Sequence, residues 1–352
     1  MQFTKESIFV ASIRSFCTSF ATILGLLIGL ILIFMGLMMM SGPNIVPEKS
    51  DLTIAADANG HRDLLPHTAP VVLKLNITGV IGQGELTAEK FSNLLLDSRE
   101  GMLANNRVKA IFLYIDSPGG TVTDSVAIYQ NLKAYKEKYK LPIYAFVDGM
   151  CASGGMYIAC SADKIFASSS SVIGSVGVIL GPTFNFSGLM ERYGVQSLTL
   201  TQGKDKDMLN PFRPWMPGED ASLRNVTSVL YGEFVDTVIA ARPHINREKL
   251  INDYGAQVYV SPTAQELGYI DVANSDYNAA LNELTKAAQI PDDHFYQVVL
   301  LSPPHPFLSD LAGSCKALFQ GKMTHVFQMG PYMNSDLSGK FLYLYQPYGE
   351  IH

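Results

Sequence analysis

Asp148-Gly149-Met150-Cys151-Ala152-Ser153-Gly154-Gly155-Met156-Tyr157 is the stretch around which the chain is organised. Upstream, Pro142 to Val147 is short, apolar and rich in β-branched and aromatic residues, which reads as a buried strand. Downstream, Gly155 to Ala162 is apolar and built largely of small residues, which reads as a closely packed helix. The turn between them falls at Gly149 to Ser153. A hydroxyl at the first turn of a helix faces unpaired backbone N–H groups and the positive end of the helix dipole, so an oxyanion formed beside it is stabilised there. Gly154 adds an N–H with no side chain over it. On this stretch alone Ser153 reads equally as a nucleophile or as the N-cap of a glycine-softened helix.

Working outward, strand patterns at Val71 to Ile77, Val108 to Ile115 and Pro142 to Val147 alternate with helix patterns at Thr87 to Ser98 and Val122 to Tyr139. Such spacing predicts right-handed βαβ units around a parallel sheet, an α/β fold with reactive groups beyond the carboxyl ends of the strands. Asp116-Ser117-Pro118-Gly119-Gly120 lies at one such end. Its paired glycines either make a tight turn or leave a backbone N–H open as a second oxyanion donor, and together with Ser153-Gly154-Gly155 the second reading gains weight. Neither a Walker loop nor a dinucleotide Gly-x-Gly-x-x-Gly is present. Later segments read as a serine-rich turn at Ser168 to Ser171, a close-packed strand around Gly174-Ser175-Val176-Gly177, a helix near Phe186 to Tyr193 and a strand at Ser197 to Thr201. A long helix at Gly218 to Ala241, a helical unit at Ser261 to Gly268 and an irregular tail beyond Ala288 complete the chain.

A nucleophilic serine needs a base. No histidine occurs between His67 and His244, so the α/β core holds none. Lysine performs the same proton transfer where burial keeps its amine neutral. Lys204 and Lys206 follow a strand end, where they could reach the serine, but from spacing alone they read more readily as surface lysines flanked by Asp205 and Asp207.

The front of the chain is of another kind. Phe16 to Ser41 carries no charged residue and is long enough to cross a bilayer as one helix. Lys5 and Arg14 precede it, which by the positive-inside bias keeps the N-terminus cytoplasmic and the remainder outside. The expected organisation is a cytoplasmic N-terminus (1–15), a transmembrane anchor (16–41), a proline-bearing tether (42–70), the α/β domain (71–288) and a C-terminal tail (289–352). A formal net charge of −6 with no basic stripe speaks against a nucleic-acid partner. Of the four cysteines, Cys151 and Cys160 flank the nucleophile helix too far apart to bridge, and no Cys/His cluster has zinc spacing. Neither a metal nor another cofactor is expected.

The pieces Asp116-Ser117-Pro118-Gly119-Gly120, Ala152-Ser153-Gly154-Gly155-Met156-Tyr157, Gly174-Ser175-Val176-Gly177 and Gly203-Lys204-Asp205-Lys206-Asp207, in this order, resemble the signal peptide peptidase A family of membrane-anchored Ser-Lys proteases. The resemblance covers about Val71 to Asp271. It implies the Clp protease and crotonase type of ββα spiral, with Ser153 as nucleophile, Lys206 as general base and Ser175 as the hydroxyl that holds the lysine. The oxyanion donors it implies are the N–H groups of Gly154 and of the Gly119-Gly120 turn, at Gly120. It also implies peptide substrates such as cleaved signal peptides, a membrane location and a homo-oligomer. The alternatives are a crotonase-like acyl-CoA enzyme, which the extracytoplasmic placement speaks against, and an inactive membrane-protein scaffold, which the complete Ser/Lys/Gly set speaks against.

Overall fold

The computed structural model describes residues 8–40, 49–291, 295–304 and 340–345. The chain falls into two compact units, Met1–Glu48 and Lys49–His352. In the first, α1 runs from Ile8 to Met40. Its Phe9–Phe34 stretch has a mean hydropathy of 2.4, which makes it long and apolar enough to cross a membrane. Arg14, expected to precede the apolar span, lies inside this helix, because no glycine or proline interrupts Ile8 to Ser15. Lys5 lies outside the described residues.

The second unit runs β1 (Asp51–Ala55), β2 (Val71–Thr78), α2 (Ala88–Asp97), β3 (Val108–Ser117), β4 (Gly119–Thr121), α3 (Val122–Tyr139), β5 (Ile143–Ala152), α4 (Gly154–Ala159), β6 (Lys164–Ala167) and β7 (Val172–Gly174). It continues with α5 (Ser187–Arg192), α6 (Ala221–Ala241), α7 (Arg247–Lys249), β8 (Val258–Val260), α8 (Ser261–Leu267), α9 (Tyr277–Ala287), β9 (Gln297–Ser302) and β10 (Leu342–Leu344). An eight-stranded sheet has the order β1-β9-β2-β3-β5-β7-β8, with β6 also on β5; β10 and β4 form a separate pair. The pairs β2–β3, β3–β5, β5–β6 and β5–β7 are parallel, as the βαβ pattern predicts.

Alternation along the strands divides the core between the two faces. Val71, Leu73, Leu75 and Ile77 of β2 pack with Phe91 and Leu94 of α2, Ile128 and Leu132 of α3, and Ile158 of α4. On the opposite face Val72, Phe112 and Phe146 meet Ala280, Leu281 and Leu284 of α9. Phe112 there lies edge-on to Tyr277 at 5.0 Å. Helix starts follow the predicted chemistry: Thr87 accepts from the Lys90 N–H at 3.3 Å, and Thr121 from the Asp124 N–H at 3.2 Å. α3 ends at a left-handed Lys140 two residues before Pro142.

Three expectations need correction. The tether contains a sheet strand, since β1 pairs antiparallel with β9, and the tail contains β9 itself, which lies parallel to β2. The folded unit therefore takes in more chain than 71–288. No strand forms at Ser197 to Thr201: the segment is exposed and lacks a ladder partner among the described residues, so nothing completes its backbone hydrogen bonding.

Candidate active site

β5 does not stop at Val147. A register shift between Ile115 and Ser117 of β3 lets β5 pass through Gly149 and pair Met150, Cys151 and Ala152 with Val172, Ile173 and Gly174 of β7. The turn expected over Gly149 to Ser153 is thereby compressed into Ser153 alone. That residue has φ 54° and ψ −114°, its N–H donates to the Gly174 carbonyl at 2.9 Å, and its own carbonyl accepts from the Tyr157 N–H at 2.9 Å. Its hydroxyl makes no capping bond, so the N-cap reading fails as an account of the side chain. A non-glycine residue held at such angles is strained by about 1–3 kcal/mol, which the surrounding ladder must impose.

The two glycine turns meet at this point. The Gly119 N–H is taken by the Ser117 hydroxyl at 3.1 Å, and that hydroxyl donates to the Gly79 carbonyl at 2.6 Å. At Gly119 φ is +98°, and a Cβ there would stand 2.7 Å from the Gly154 nitrogen. A Cβ on Gly154 would stand 2.4 Å from the Ser125 hydroxyl. Only glycines let these backbones approach so closely.

β10 was invisible in sequence reading, although Phe341-Leu342-Tyr343-Leu344-Tyr345 is apolar and aromatic enough to read as a strand. It pairs antiparallel with β4, Tyr343 opposite Gly120, and its other edge bridges Ile179 through Leu342. Tyr343 is fully buried. Its ring stacks on Tyr157 at 5.3 Å and tilts against Phe234 of α6 at 4.5 Å, while its hydroxyl donates to the Leu230 carbonyl at 2.8 Å. Burial pushes this phenol up. The Val176 to Leu180 segment lines a cavity of about 740 Å³, walled also by Leu223, Thr227 and Tyr231 of α6.

Ser175 follows β7 directly, is buried, has φ 55°, and donates its N–H to the Gln257 carbonyl at 2.7 Å. The bond from Ser153 to Gly174 therefore brings Ser153, Ser175 and the two glycine turns together. Lys206 is not brought to them. It is exposed in the turn Gly203 to Leu209, and among the described residues its ammonium has no ion pair or hydrogen bond, so the single chain does not supply the burial that a neutral amine requires. Asp207 is not its partner either: it accepts from Arg213 Nε at 2.6 Å, and Arg213 continues to Glu219 at 2.8 Å. Arg213, then the Met216 N–H, hold the Glu219 carboxyl down at about 2, and Arg213 with Asn210 lowers Asp207. Cys151 and Cys160 are buried and free. Burial pushes the Cys151 thiol up and the Cys160 thiol to about 12, so neither rivals the serine as nucleophile.

The family model described as Peptidase family S49 matches residues 135–291, and the one described as Clp protease matches residues 55–173. A candidate protease of Synechocystis sp. is 32% identical over 70% of this chain and 84% of its own length. The chain belongs to peptidase family S49. A candidate signal peptide peptidase SppA of Enterococcus faecium is 31% identical over 63% of the chain and 64% of its own length. Protease 4 of Haemophilus influenzae is 27% identical over 68% of the chain, which spans 38% of that protein. Among solved structures, the chain is similar to a ClpP1 mutant of Listeria monocytogenes, at 17% identity over 59% of this chain and 94% of that one, with a TM-score of 0.39. That likeness adds nothing to the sequence matches. Membership makes this S49 chain a serine-type protease of the Clp protease-like fold and sets aside the acyl-CoA enzyme.

Proposed function

We propose that this S49 peptidase is an endopeptidase in which Ser153 attacks the scissile carbonyl and Lys206 takes the Ser153 proton. The Ser175 hydroxyl holds the lysine, and the N–H groups of Gly120 and Gly154 receive the oxyanion. The carrying observation is Ser153 itself: buried, held at φ 54°, its hydroxyl uncommitted to capping, and seated where the Gly119 and Gly154 backbones converge. Engagement of the Gly119 N–H by Ser117 favours Gly120 as the second donor.

The lysine comes from outside the single-chain site. The turn that bears it lies among exposed apolar side chains, Leu198 at 84% and Leu200 at 87%, which a neighbouring copy would cover while excluding water from the amine. The working form is thus a homo-oligomer. α1 serves as a membrane anchor with Lys5 and Arg14 on the cytoplasmic side, and the peptidase unit acts outside on membrane-derived peptides such as cleaved signal peptides. No cofactor takes part in this chemistry.

Turnover of a peptide substrate by Lys206→Met and Lys204→Met tests the assignment of the base. Lys206→Met should lower kcat by at least about 100-fold, the usual worth of a positioned base, while Lys204→Met stays near the parent rate. Loss of turnover in Lys204→Met alone places the base two residues earlier, and full activity in both removes the Ser-Lys mechanism.

A further inference from the structure

We propose that the cavity at the carboxyl end of β2 is a second peptide site, which holds a short apolar peptide with a free amino end as an added strand and does not cleave it. Such a site stands whichever residue is the nucleophile.

β2 is paired on both edges only over its first half. Its ladder with β9 ends at Lys74↔Leu300, whereas its ladder with β3 continues to Thr78↔Asp116. The cause is in the sequence. In this parallel register the next donor to the Asn76 carbonyl would be the N–H of residue 303, and Pro303 has none. The Gly79 N–H donates to the Asp116 carbonyl at 2.9 Å, so by alternation the backbone groups of Asn76 and Thr78 face away from β3. On the side they face, they have no ladder partner among the described residues. An open strand edge is a template for a further strand.

Beside this edge, between β2, β9 and α2, lies a cavity of about 440 Å³ with Leu86, Phe91, Leu94 and Leu301 in its wall. Asn76 and Gln83 also line it, and Asn76 Oδ1 and Gln83 Nε2 are buried with no hydrogen-bond partner among the described residues. A buried acceptor and a buried donor are costly to leave unmade. A peptide satisfies both at once: its N–H donates to the Asn76 oxygen, its carbonyl accepts from the Gln83 amide, and its side chains meet the apolar wall. At about 3.3 Å per residue, the edge from Asn76 to Thr78 matches a strand of about three residues.

Glu85 is the one charged residue in the wall among the described residues, and Lys90 pairs with its carboxylate at 2.9 Å from outside the cavity. A carboxylate there opposes a peptide's terminal carboxylate and favours its ammonium. Neither Ser153 nor a glycine of its two turns lines the cavity, so a peptide held there is not presented for cleavage.

The test uses the full chain in detergent, carrying Ser153→Ala so that nothing is cut, and the probe is Leu-Leu-Leu amide with a diazirine in its last side chain. After irradiation, peptide mapping should find adducts between Glu85 and Leu94 or at Leu301. Asn76→Leu and Gln83→Met, each in the same background, should weaken binding by at least about 10-fold, because each removes a group that the peptide pairs. Without peptide their urea midpoints should stay at or above the parent's, because each also removes a buried group that has no partner. N-acetyl-Leu-Leu-Leu with a free carboxylate should bind at least about 10-fold more weakly than the amide. Adducts confined to other segments overturn the proposal, and so does the absence of any adduct, the result expected if the protein's own chain fills the cavity. Unchanged affinity in both variants overturns it as well. Affinity lost only together with a lowered midpoint makes the two amides structural and overturns it too.

Discussion

At Ser153 the backbone sits at φ 54° and ψ −114°, angles that glycine adopts freely and serine does not. Ser153→Ala and Ser153→Gly should both abolish peptide cleavage, but they should differ in stability. Glycine relieves the strain and alanine keeps it, so Ser153→Gly should unfold at higher denaturant than Ser153→Ala, by about 1 kcal/mol after glycine's unfolded-state entropy is set against it. Equal midpoints would mean that the ladder from Gly174 does not impose the strain. The features that the proposed mechanism uses, a hydroxyl at Ser153 and side-chain-free turns at Gly119-Gly120 and Gly154-Gly155, are legible in the sequence because the pattern is local to two strand ends. The strain was not legible, because it arises from pairing Ala152 with Gly174, a contact that no pattern around Ser153 announces.

Among the elements, the turn that carries Lys206 is fastened by Asp207, Arg213 and Glu219. Because the folded carboxyls lie below their ordinary values, their stabilising contribution is present above the ordinary carboxylate range and is lost as pH falls through the folded values, near 2 for Glu219. Trp215, the chain's one tryptophan, donates its indole N–H to the Asn210 carbonyl at 2.9 Å and reports on this turn. Its fluorescence in the parent should hold through the ordinary carboxylate range and change only toward pH ~2, whereas in Arg213→Met the change should move up toward pH ~4. Identical acid transitions would dispose of the clamp. On the far face of the sheet Leu284 of α9 is fully buried, and Leu284→Ala should lower stability by about 2–5 kcal/mol in urea unfolding. The parallel strands β2, β3 and β5 and the helices α2 and α3 follow from periodicity and caps, whereas α9 lies beyond the last helix expected from the sequence, Ser261 to Gly268. β1 and β10 escaped because each is short and pairs with a segment far away in the chain, so its neighbours in sequence carry no sign of the pairing.

For the whole molecule, the single chain brings together Ser153, Ser175 and the two glycine turns, and leaves Lys206 exposed. Leu200→Asp should therefore shift the sedimenting species toward smaller assemblies and reduce turnover together, with little effect on unfolding of the chain itself, because the side chain is 87% exposed there. Unchanged assembly with unchanged turnover would show that this apolar surface plays no part in completing the site. Spacing left Lys204 and Lys206 open and the motif resemblance chose Lys206; neither shows how the amine is desolvated, because the cover proposed for it is a neighbouring copy. The proposed chemistry turns on one atom, Ser153 Oγ. The full chain, reacted with a fluorophosphonate and digested for peptide mapping, should carry a single adduct on the peptide containing Ser153, and Ser153→Ala should carry none; an adduct on another residue, or persistent labelling of Ser153→Ala, would contradict it.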